Sequence, residues 1–230
     1  MQDRVAALAA GLGHHLQLEC GSVAALAVKG SDLFFETLLA LLALGVTPAL
    51  INLRWSSFEA AEAVQSCNAR AVLADSSGLR LLHTSTLPSV EVDSELDQRH
   101  GRVSSANLLQ QFLGAPYQPI APSGGAAVIC FTSGSTGRSK GAVISHSALH
   151  VQALAKLLVV GYKSTDVYLH CAPLFHVGGL SSALAMLMVG AQHVFVPDYQ
   201  PEACCRSILR HQVRDWLCQP YSSTKGCEEF

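Results

Sequence analysis

The chain has 230 residues, of which 50% are hydrophobic and 14% are charged, and its formal net charge at pH 7 is -2. This composition is typical of a globular protein that buries a core of its own. The small net charge, together with the lack of a Lys/Arg cluster with interleaved aromatic residues, excludes nucleic acid as a principal partner.

Eight cysteines raise the question of disulfides or a metal site, but no two of them form a CxxC pair. We expect most of them to be reduced, small core residues. His146 and His150 are four residues apart, yet the glutamate of an HExxH motif is missing. The sequence therefore predicts no metal site.

The first 75 residues alternate between helical and strand-like patterns. An N-terminal amphipathic helix contains no export or organelle signal. Ser31 or Asp32 is placed to cap the second helix, and Ser56 or Ser57 to cap the third, where Glu59 completes a capping box. The predicted elements are a helix in 1–17, strands at 22–28, 47–53 and 69–75, and helices at 31–44 and 56–68.

Residues 76–123 lose this rhythm and predict a connection or peripheral loop. After them the alternation returns, with strands at 126–131, 141–145, 166–172 and 192–197 and helices at 147–160, 180–190 and 201–213. The pattern predicts an α/β fold of mainly parallel sheets flanked by helices, in which these later strands form a second parallel layer. We divide the chain into a first α/β portion (1–115), a second (116–213) and a divergent tail (214–230).

Two apolar segments are candidates for membrane spans. The first, LFFETLLALLALGV, carries Glu36 and is shorter than the roughly 20 residues needed to cross a bilayer. The second, residues 167–197, has no Asp, Glu, Lys or Arg, but Pro173, paired glycines and three histidines divide it. The sequence therefore predicts buried helices and strands and no membrane span.

The segment FTSGSTGRSKGAVISH, residues 131–146, is rich in hydroxyls and glycines and lies between two apolar strands. Free backbone N–H groups and neutral hydroxyls form a concavity for anionic oxygens, and Lys140 adds one mobile positive charge. The implied ligand is a polyphosphate. The Walker pattern GxxxxGK(S/T) is not satisfied, because only two residues separate Gly134 from Gly137. A surface turn uses the same residue types and remains the alternative.

This segment closely resembles the phosphate-loop signature of the adenylate-forming acyl-CoA synthetases, (Y/F)TSG(S/T)TGxPKGV followed by a Ser/Thr-His pair. Ser139 stands where that family has proline, which would fix the backbone angle there. The stretch PLFHVGGL resembles the segment that lines the family's acyl pocket, and Asn52 and Arg54 match its LNxR element. The resemblance runs from about residue 21 to residue 213.

The resemblance implies a partial N-terminal domain of an adenylate-forming enzyme that uses ATP, Mg²⁺ and coenzyme A on a small carboxylic acid. It implies that the ATP phosphates are bound by a set of loop residues, namely Thr132, Ser133, Gly134, Ser135, Thr136, Gly137 and Lys140. It places His176 and Gly179 at the acyl pocket, although a histidine in an apolar turn can equally be a packed residue. His146 and His170 are interpreted as structural, and no catalytic residue is assigned.

Within the family these segments are most similar to the plant 2-succinylbenzoate-CoA ligases of phylloquinone and menaquinone synthesis. Two alternatives stay open: another acyl-CoA synthetase, such as a 4-coumarate or fatty-acyl type, or a non-catalytic regulatory protein that associates with a full-length ligase. The resemblance implies a plastid or a peroxisome, and without a visible targeting segment the cytoplasm is the default compartment.

Several family elements have no counterpart in the sequence, including a TGD aspartate for the ribose and a C-terminal domain with the adenylation lysine. We therefore expect an incomplete chain that is catalytically inert alone. We also expect bare apolar strand faces that favour self-association or association with the full-length enzyme.

Overall fold

The computed structural model describes residues 1–94, 103–120, 125–132 and 139–216. The helices are α1 Gln2–Leu16, α2 Asp32–Ala43, α3 Ser57–Ser66, α4 Ser76–Leu81, α5 Ser105–Phe112, α6 His146–Val160, α7 Val177–Val189 and α8 Pro201–His211. The strands are β1 Val23–Ala27, β2 Thr47–Leu50, β3 Ala71–Ala74, β4 Ser89–Glu91, β5 Ala126–Thr132, β6 Lys140–Ser145, β7 Val167–His170, β8 Gln192–Phe195 and β9 Asp215–Trp216.

The larger sheet has six strands in the order β4-β3-β1-β2-β5-β6. All neighbouring pairs in it are parallel except β5 and β6, which are antiparallel. Short apolar strands that alternate with helices produce this arrangement, because each crossover helix covers a sheet face that would otherwise be exposed. The predicted fold class, mainly parallel sheets flanked by helices, is confirmed.

Helices cover both faces of the larger sheet, and strand residues alternate between the two sides. Leu26 of β1 points into a core formed with α1, α2 and α5, whereas its neighbours Ala25 and Ala27 point to α3 and α4. The second side is tightly packed at Gly78, where an added Cβ would lie 1.9 Å from the carbonyl oxygen of Ala27. The small residues of β1 therefore let α4 approach the sheet closely.

The smaller sheet has the parallel order β8-β7-β9. One of its faces packs on α8 through Leu169 and Cys204. The other face packs on the larger unit, since Phe35 of α2 lies 6.3 Å from Phe195, centroid to centroid, and Leu180 of α7 belongs to the main core. The smaller sheet is thus joined to the larger one through α2 and α7.

Two sequence-based expectations about the elements are wrong. The strands at 126–131 and 141–145 were assigned to a second parallel layer, but they are β5 and β6 of the first sheet, and β6 runs antiparallel. The region 76–123, predicted as a connection, contains α4, β4 and α5. A strand's own residues do not specify which sheet it joins, because pairing is decided by packing with distant segments. The three-part division at 115 and 213 stays a prediction.

Local capping agrees with the sequence. Ser31, not Asp32, caps α2 by accepting a hydrogen bond from the N–H of Phe34. Ser56 and Glu59 form the expected capping box at α3. Six cysteines in the described residues are free, but only Cys130 and Cys204 are buried, so the expectation that most are core residues is wrong: the others are Cys20, Cys67, Cys171 and Cys205. None of the helices described is both long enough and apolar enough to cross a bilayer.

Candidate functional site

The candidate site lies at the carboxyl edge of the larger sheet, where β1, β2 and β5 end. The chain leaves β1 toward α2 on one face and leaves the neighbouring β2 toward α3 on the other face. Adjacent loops that depart in opposite directions leave a gap, and this is where open α/β sheets bind their ligands. The segments bordering it are 28–31 after β1, 51–55 after β2 and the turn between β5 and β6.

The predicted phosphate loop joins the two antiparallel strands at this edge. Thr132 and Lys140 are directly paired across β5 and β6, and the hydroxyl of Thr132 donates to the carbonyl oxygen of Lys140 at 3.4 Å. Both residues are exposed to solvent. The other predicted phosphate-binding residues lie outside the described part of the chain: Ser133, Gly134, Ser135, Thr136 and Gly137. The structure therefore fixes the two ends of the loop.

The base of the loop is held by close packing. A Cβ added to Gly141 would lie 2.9 Å from the Cγ2 of Ile129 and 3.3 Å from the ring of Phe131, so a side chain there would force Ile129 or β6 to shift. Phe131 also meets Trp55 edge-on, with ring centroids 5.5 Å apart. This contact ties the end of β5 to the segment that follows β2.

The segment after β2 brings Arg54 toward the second predicted site. Asn52 accepts a hydrogen bond from the N–H of Arg54 at 3.0 Å, which shapes the turn that carries the guanidinium. Burial lowers the pKa of His176, and the positive charge of Arg54 lowers it further. Arg54 therefore lies close enough for His176 to sense its charge, and the His176 ring is neutral at pH 7.

The acyl-pocket turn, residues 173–179, precedes and opens α7. The N–H of His176 donates to the carbonyl oxygen of Pro173 at 3.2 Å, and His176 occupies the N-cap position without a side-chain capping bond. Leu174 is fully buried against Gly30 after β1, which seats the turn over the carboxyl edge of the sheet. The helix was expected at 180–190 but begins at Val177, within the predicted turn.

Gly179 is buried and has a packing role of its own. A Cβ at this position would lie 2.5 Å from the carbonyl oxygen of Pro173, closer than side chains ever approach. Only glycine lets the first turn of α7 pack against the 173–176 bend. Packing alone therefore accounts for a glycine at position 179, and its role in the acyl pocket stays a prediction.

Sequence analysis missed a polar contact between α6 and α7. The ammonium of Lys156 donates to the hydroxyl oxygen of Ser182 at 2.6 Å and lies 3.4 Å from the carbonyl oxygen of Gly178. One sequence feature could have predicted this contact: Lys156 is the only Asp, Glu, Lys or Arg among residues 146–160. A lone cation in an otherwise apolar helix calls for a partner on a neighbouring element.

His170, which the sequence analysis interprets as structural, has partners in the smaller sheet. His170 and His193 share a hydrogen bond of 3.0 Å between Nε2 and Nδ1, and the His170 ring stacks on Phe195. Among the residues that the structure describes, no group of three or more His, Cys, Asp or Glu side chains could hold a metal ion. His146 begins α6 and is half-buried.

The family model for AMP-binding enzymes matches residues 1–222 of this chain. The chain belongs to the family of AMP-binding enzymes. Both the segment 131–141 and the turn 173–179 lie inside the matched region.

The relatives of this AMP-binding chain include 2-succinylbenzoate-CoA ligases. It is 38% identical over 232 residues to the chloroplastic/peroxisomal enzyme of Arabidopsis thaliana, a match that covers 95% of this chain and 41% of that enzyme. It is 25% identical over 202 residues to the enzyme of Bacillus cytotoxicus, covering 88% of this chain and 38% of that one. The chain thus spans about two-fifths of the length of these curated relatives.

A solved structure shares the fold of this AMP-binding chain. The o-succinylbenzoate coenzyme A synthetase of Bacillus subtilis in complex with ATP and magnesium ion superposes with a TM-score of 0.76. The alignment covers 93% of this chain and 54% of that chain, at 21% sequence identity. At this identity the likeness demonstrates the architecture alone.

Proposed function

We propose that this chain supplies the loop and acyl turn of an ATP-dependent 2-succinylbenzoate-CoA ligase, which converts carboxylate, ATP and coenzyme A to acyl-CoA, AMP and pyrophosphate. The observation that carries the proposal is the 38% identity to the Arabidopsis ligase over 95% of the chain. A match of this extent includes both segments that the chemistry requires, and it favours this substrate over those of other acyl-CoA synthetases.

The adenylation reaction requires a site with several hydrogen-bond donors and positive charge. A carboxylate does not acylate a thiol, because its oxygen is a poor leaving group and its charge repels nucleophiles. Attack of the carboxylate oxygen on the α-phosphate of ATP bonds that oxygen to phosphorus and releases pyrophosphate. The thiol of coenzyme A then attacks the acyl carbon, forms the thioester and releases AMP, which carries the oxygen away. The first step brings two anions together, so the protein must hold both in line and neutralise part of their charge.

In this proposal the loop between β5 and β6 binds the β- and γ-phosphates. Lys140 contributes the positive charge, and the loop residues Thr132, Ser133, Gly134, Ser135, Thr136 and Gly137 contribute hydroxyl and backbone donors. The described ends of the loop fit this role, since Thr132 and Lys140 are exposed side by side at the carboxyl edge of the sheet. Mg²⁺ bound to the triphosphate would neutralise charge on the leaving pyrophosphate.

His176 and Gly179 border the acyl group in this proposal. The neutral imidazole of His176 can form a hydrogen bond with the acyl group, and it does not place a second positive charge next to Arg54. Gly179 lets the bend at 173–176 pack against α7, which keeps His176 at the N-terminus of that helix. The Arabidopsis relative is described as chloroplastic/peroxisomal, and we extend a plastid or peroxisomal location to this chain as part of the proposal.

A chimera tests the proposal. Residues 1–216 would replace the matched segment of the Arabidopsis ligase, and pyrophosphate release would be measured with ATP, Mg²⁺, coenzyme A and one acid at a time. We expect release with 2-succinylbenzoate and background rates with 4-coumarate or palmitate. A folded chimera that is inactive with 2-succinylbenzoate, or that prefers either of the other acids, contradicts the proposal. The unaltered Arabidopsis ligase is the control.

A further inference from the structure

Lys156 lies between two helices in an unusual environment for a cation. It is half-buried on α6, and its two hydrogen-bond acceptors, Ser182 Oγ at 2.6 Å and Gly178 O at 3.4 Å, are both neutral and both belong to α7. Ser182 is buried, and its hydroxyl also contacts Gly178 O at 3.3 Å. The ammonium is therefore held by the Ser182 hydroxyl and the Gly178 carbonyl in the first two turns of α7.

The electrostatics of this position are unfavourable for a cation alone. Burial lowers the pKa of Lys156, and no carboxylate of the described residues offsets that shift. Gly178 is the second residue of α7, and a helix N-terminus carries partial positive charge. A half-buried ammonium with only neutral partners, next to the positive end of a helix, lowers the stability of the fold because its charge is not neutralised. An anion bound beside the ammonium would remove this cost. Such uncompensated groups are typical of binding sites.

The geometry relates this cation to the acyl turn. His176 is the N-cap of α7, and Ser182 lies six residues further along the same helix. The other contact of Lys156, Gly178, lies two residues beyond His176, so at 1.5 Å per residue the two contacts lie roughly 3–9 Å from His176 along the helix axis. A separation of this order suits a small aromatic acid that has one end at His176 and the other at Lys156.

We propose that Lys156 binds the carboxylate of a dicarboxylic acyl substrate that is not activated. The inference rests on the proposed function and deepens it, because 2-succinylbenzoate has two carboxylates and adenylation consumes one of them. The second stays ionised throughout the reaction and must be accommodated as an anion. Lys156 supplies the charge that recognises it, with Ser182 fixing the direction of the ammonium.

The competing explanation is that Lys156 only joins α6 to α7. The two explanations predict different results, because a structural contact affects all ligands equally, whereas a carboxylate-binding cation affects only acids that carry the second carboxylate. The test therefore compares 2-succinylbenzoate with two monocarboxylates, 4-oxo-4-phenylbutanoate and 2-butanoylbenzoate. Each of them lacks one of the two carboxyl groups.

The experiment uses the full 230-residue chain with ATP and Mg²⁺, and it measures the dissociation constants of the three acids by ligand-observed NMR. We expect the wild type to bind the dicarboxylate about tenfold more tightly than the monocarboxylate that lacks the carboxylate bound by Lys156, the value of one charge-assisted hydrogen bond. Lys156→Met should abolish this difference, and Lys156→Arg should retain most of it. Lys163→Met, at an exposed lysine, is the matched control and should change nothing.

Two outcomes overturn the inference while leaving the proposed function in place: wild-type binding of all three acids with equal affinity, or a Lys156→Met variant that keeps the preference. Binding of none of the three acids by the folded wild type overturns the inference and removes support for the proposed function. If Lys156→Met does not fold, the wild-type Lys156 pKa decides, since the acids that carry the carboxylate bound by Lys156 must raise it and the acid that lacks this carboxylate must not.

Discussion

The imidazoles of His170 and His193 form a hydrogen bond of 3.0 Å across the smaller sheet, between β7 and β8. Burial, and then the charge of His193, lowers the pKa of His170 to about 3, and burial also lowers the pKa of His193. The pair is therefore neutral at pH 7. It joins two strands that pack on Phe35 of α2, so its charge state affects the junction between the two sheets.

This pair predicts a loss of stability in acid. The unfolded chain takes up a proton on each histidine near pH 6.5, whereas folded His170 resists protonation down to about pH 3, so stability falls as the pH is lowered through this window. Between pH 7.5 and pH 5 we expect His170 alone to reduce the free energy of unfolding by about 2 kcal/mol. Urea unfolding at the two pH values measures it.

Two variants isolate this effect. His170→Phe keeps an aromatic ring beside Phe195 but does not titrate, so its stability should depend less on pH than that of the wild type. His150→Asn, at an exposed histidine outside the smaller sheet, is the control variant. Equal slopes in His170→Phe and the wild type would rule out His170 as the source.

The ion pair between α1 and α2 predicts a second loss of stability. Arg4 Nε donates to Glu36 Oε1 at 2.6 Å and Arg4 Nη2 to Glu36 Oε2 at 2.9 Å, while Glu36 itself is buried. Arg4→Met leaves this carboxylate without its partner. We expect a cost of about 2 kcal/mol, less than for a fully buried pair because the Arg4 side chain is 50% exposed.

A double variant checks the interpretation of this pair. Arg4→Met combined with Glu36→Leu removes both charges and should recover most of the loss, because no buried carboxylate remains. Arg80→Met, at an exposed arginine whose guanidinium donates to the hydroxyl of Ser77 on α4, serves as the control and should change stability by less than about 0.5 kcal/mol. A single variant as stable as the wild type would mean that Glu36 is solvated.

The bend before α7 predicts a strict requirement for Gly179. Gly179→Ala places a Cβ 2.5 Å from the carbonyl oxygen of Pro173, so the bend or the helix must move. We expect a destabilisation of about 1–3 kcal/mol and weaker binding of 2-succinylbenzoate. Gly30→Ala is the matched control, since its Cβ would lie 3.5 Å from Leu174, an ordinary contact, and thermal unfolding compares the two. Similar melting temperatures for both variants would contradict the argument.

The phosphate loop predicts a large kinetic effect of Lys140. In the chimera with the Arabidopsis ligase, Lys140→Ala should lower kcat/KM for ATP by roughly 100-fold, since a positioned donor to the transferring phosphates is lost. Lys163→Ala should leave it unchanged, and circular dichroism establishes that both variants fold. A Lys140→Ala chimera with the parent's kcat/KM would exclude the loop from ATP binding.

Much of the fold follows from local sequence. The apolar runs at 22–28 and 47–53 predicted β1 and β2, and Ser56 with Glu59 predicted the start of α3, because strand burial and helix capping depend on residues close together in the chain. The loop string 131–141 indicated a polyphosphate site for the same reason, since hydroxyls, glycines and a lysine are all contributed by one segment. Patterns of this kind can be recognised from sequence because all their residues lie within one short segment.

Other features were decided only by the tertiary structure. No residue of β5 or β6 indicates that these strands extend the first sheet, because that choice depends on the exposed edge of β2 and on Trp55 packing against Phe131. The contact of Lys156 with Ser182, 26 positions away, likewise exists only once α6 and α7 lie side by side. The sequence predicted most of the elements and a polyphosphate-binding role for the loop, whereas strand order and the position of the lone cation arose from long-range packing, which local residue patterns do not encode.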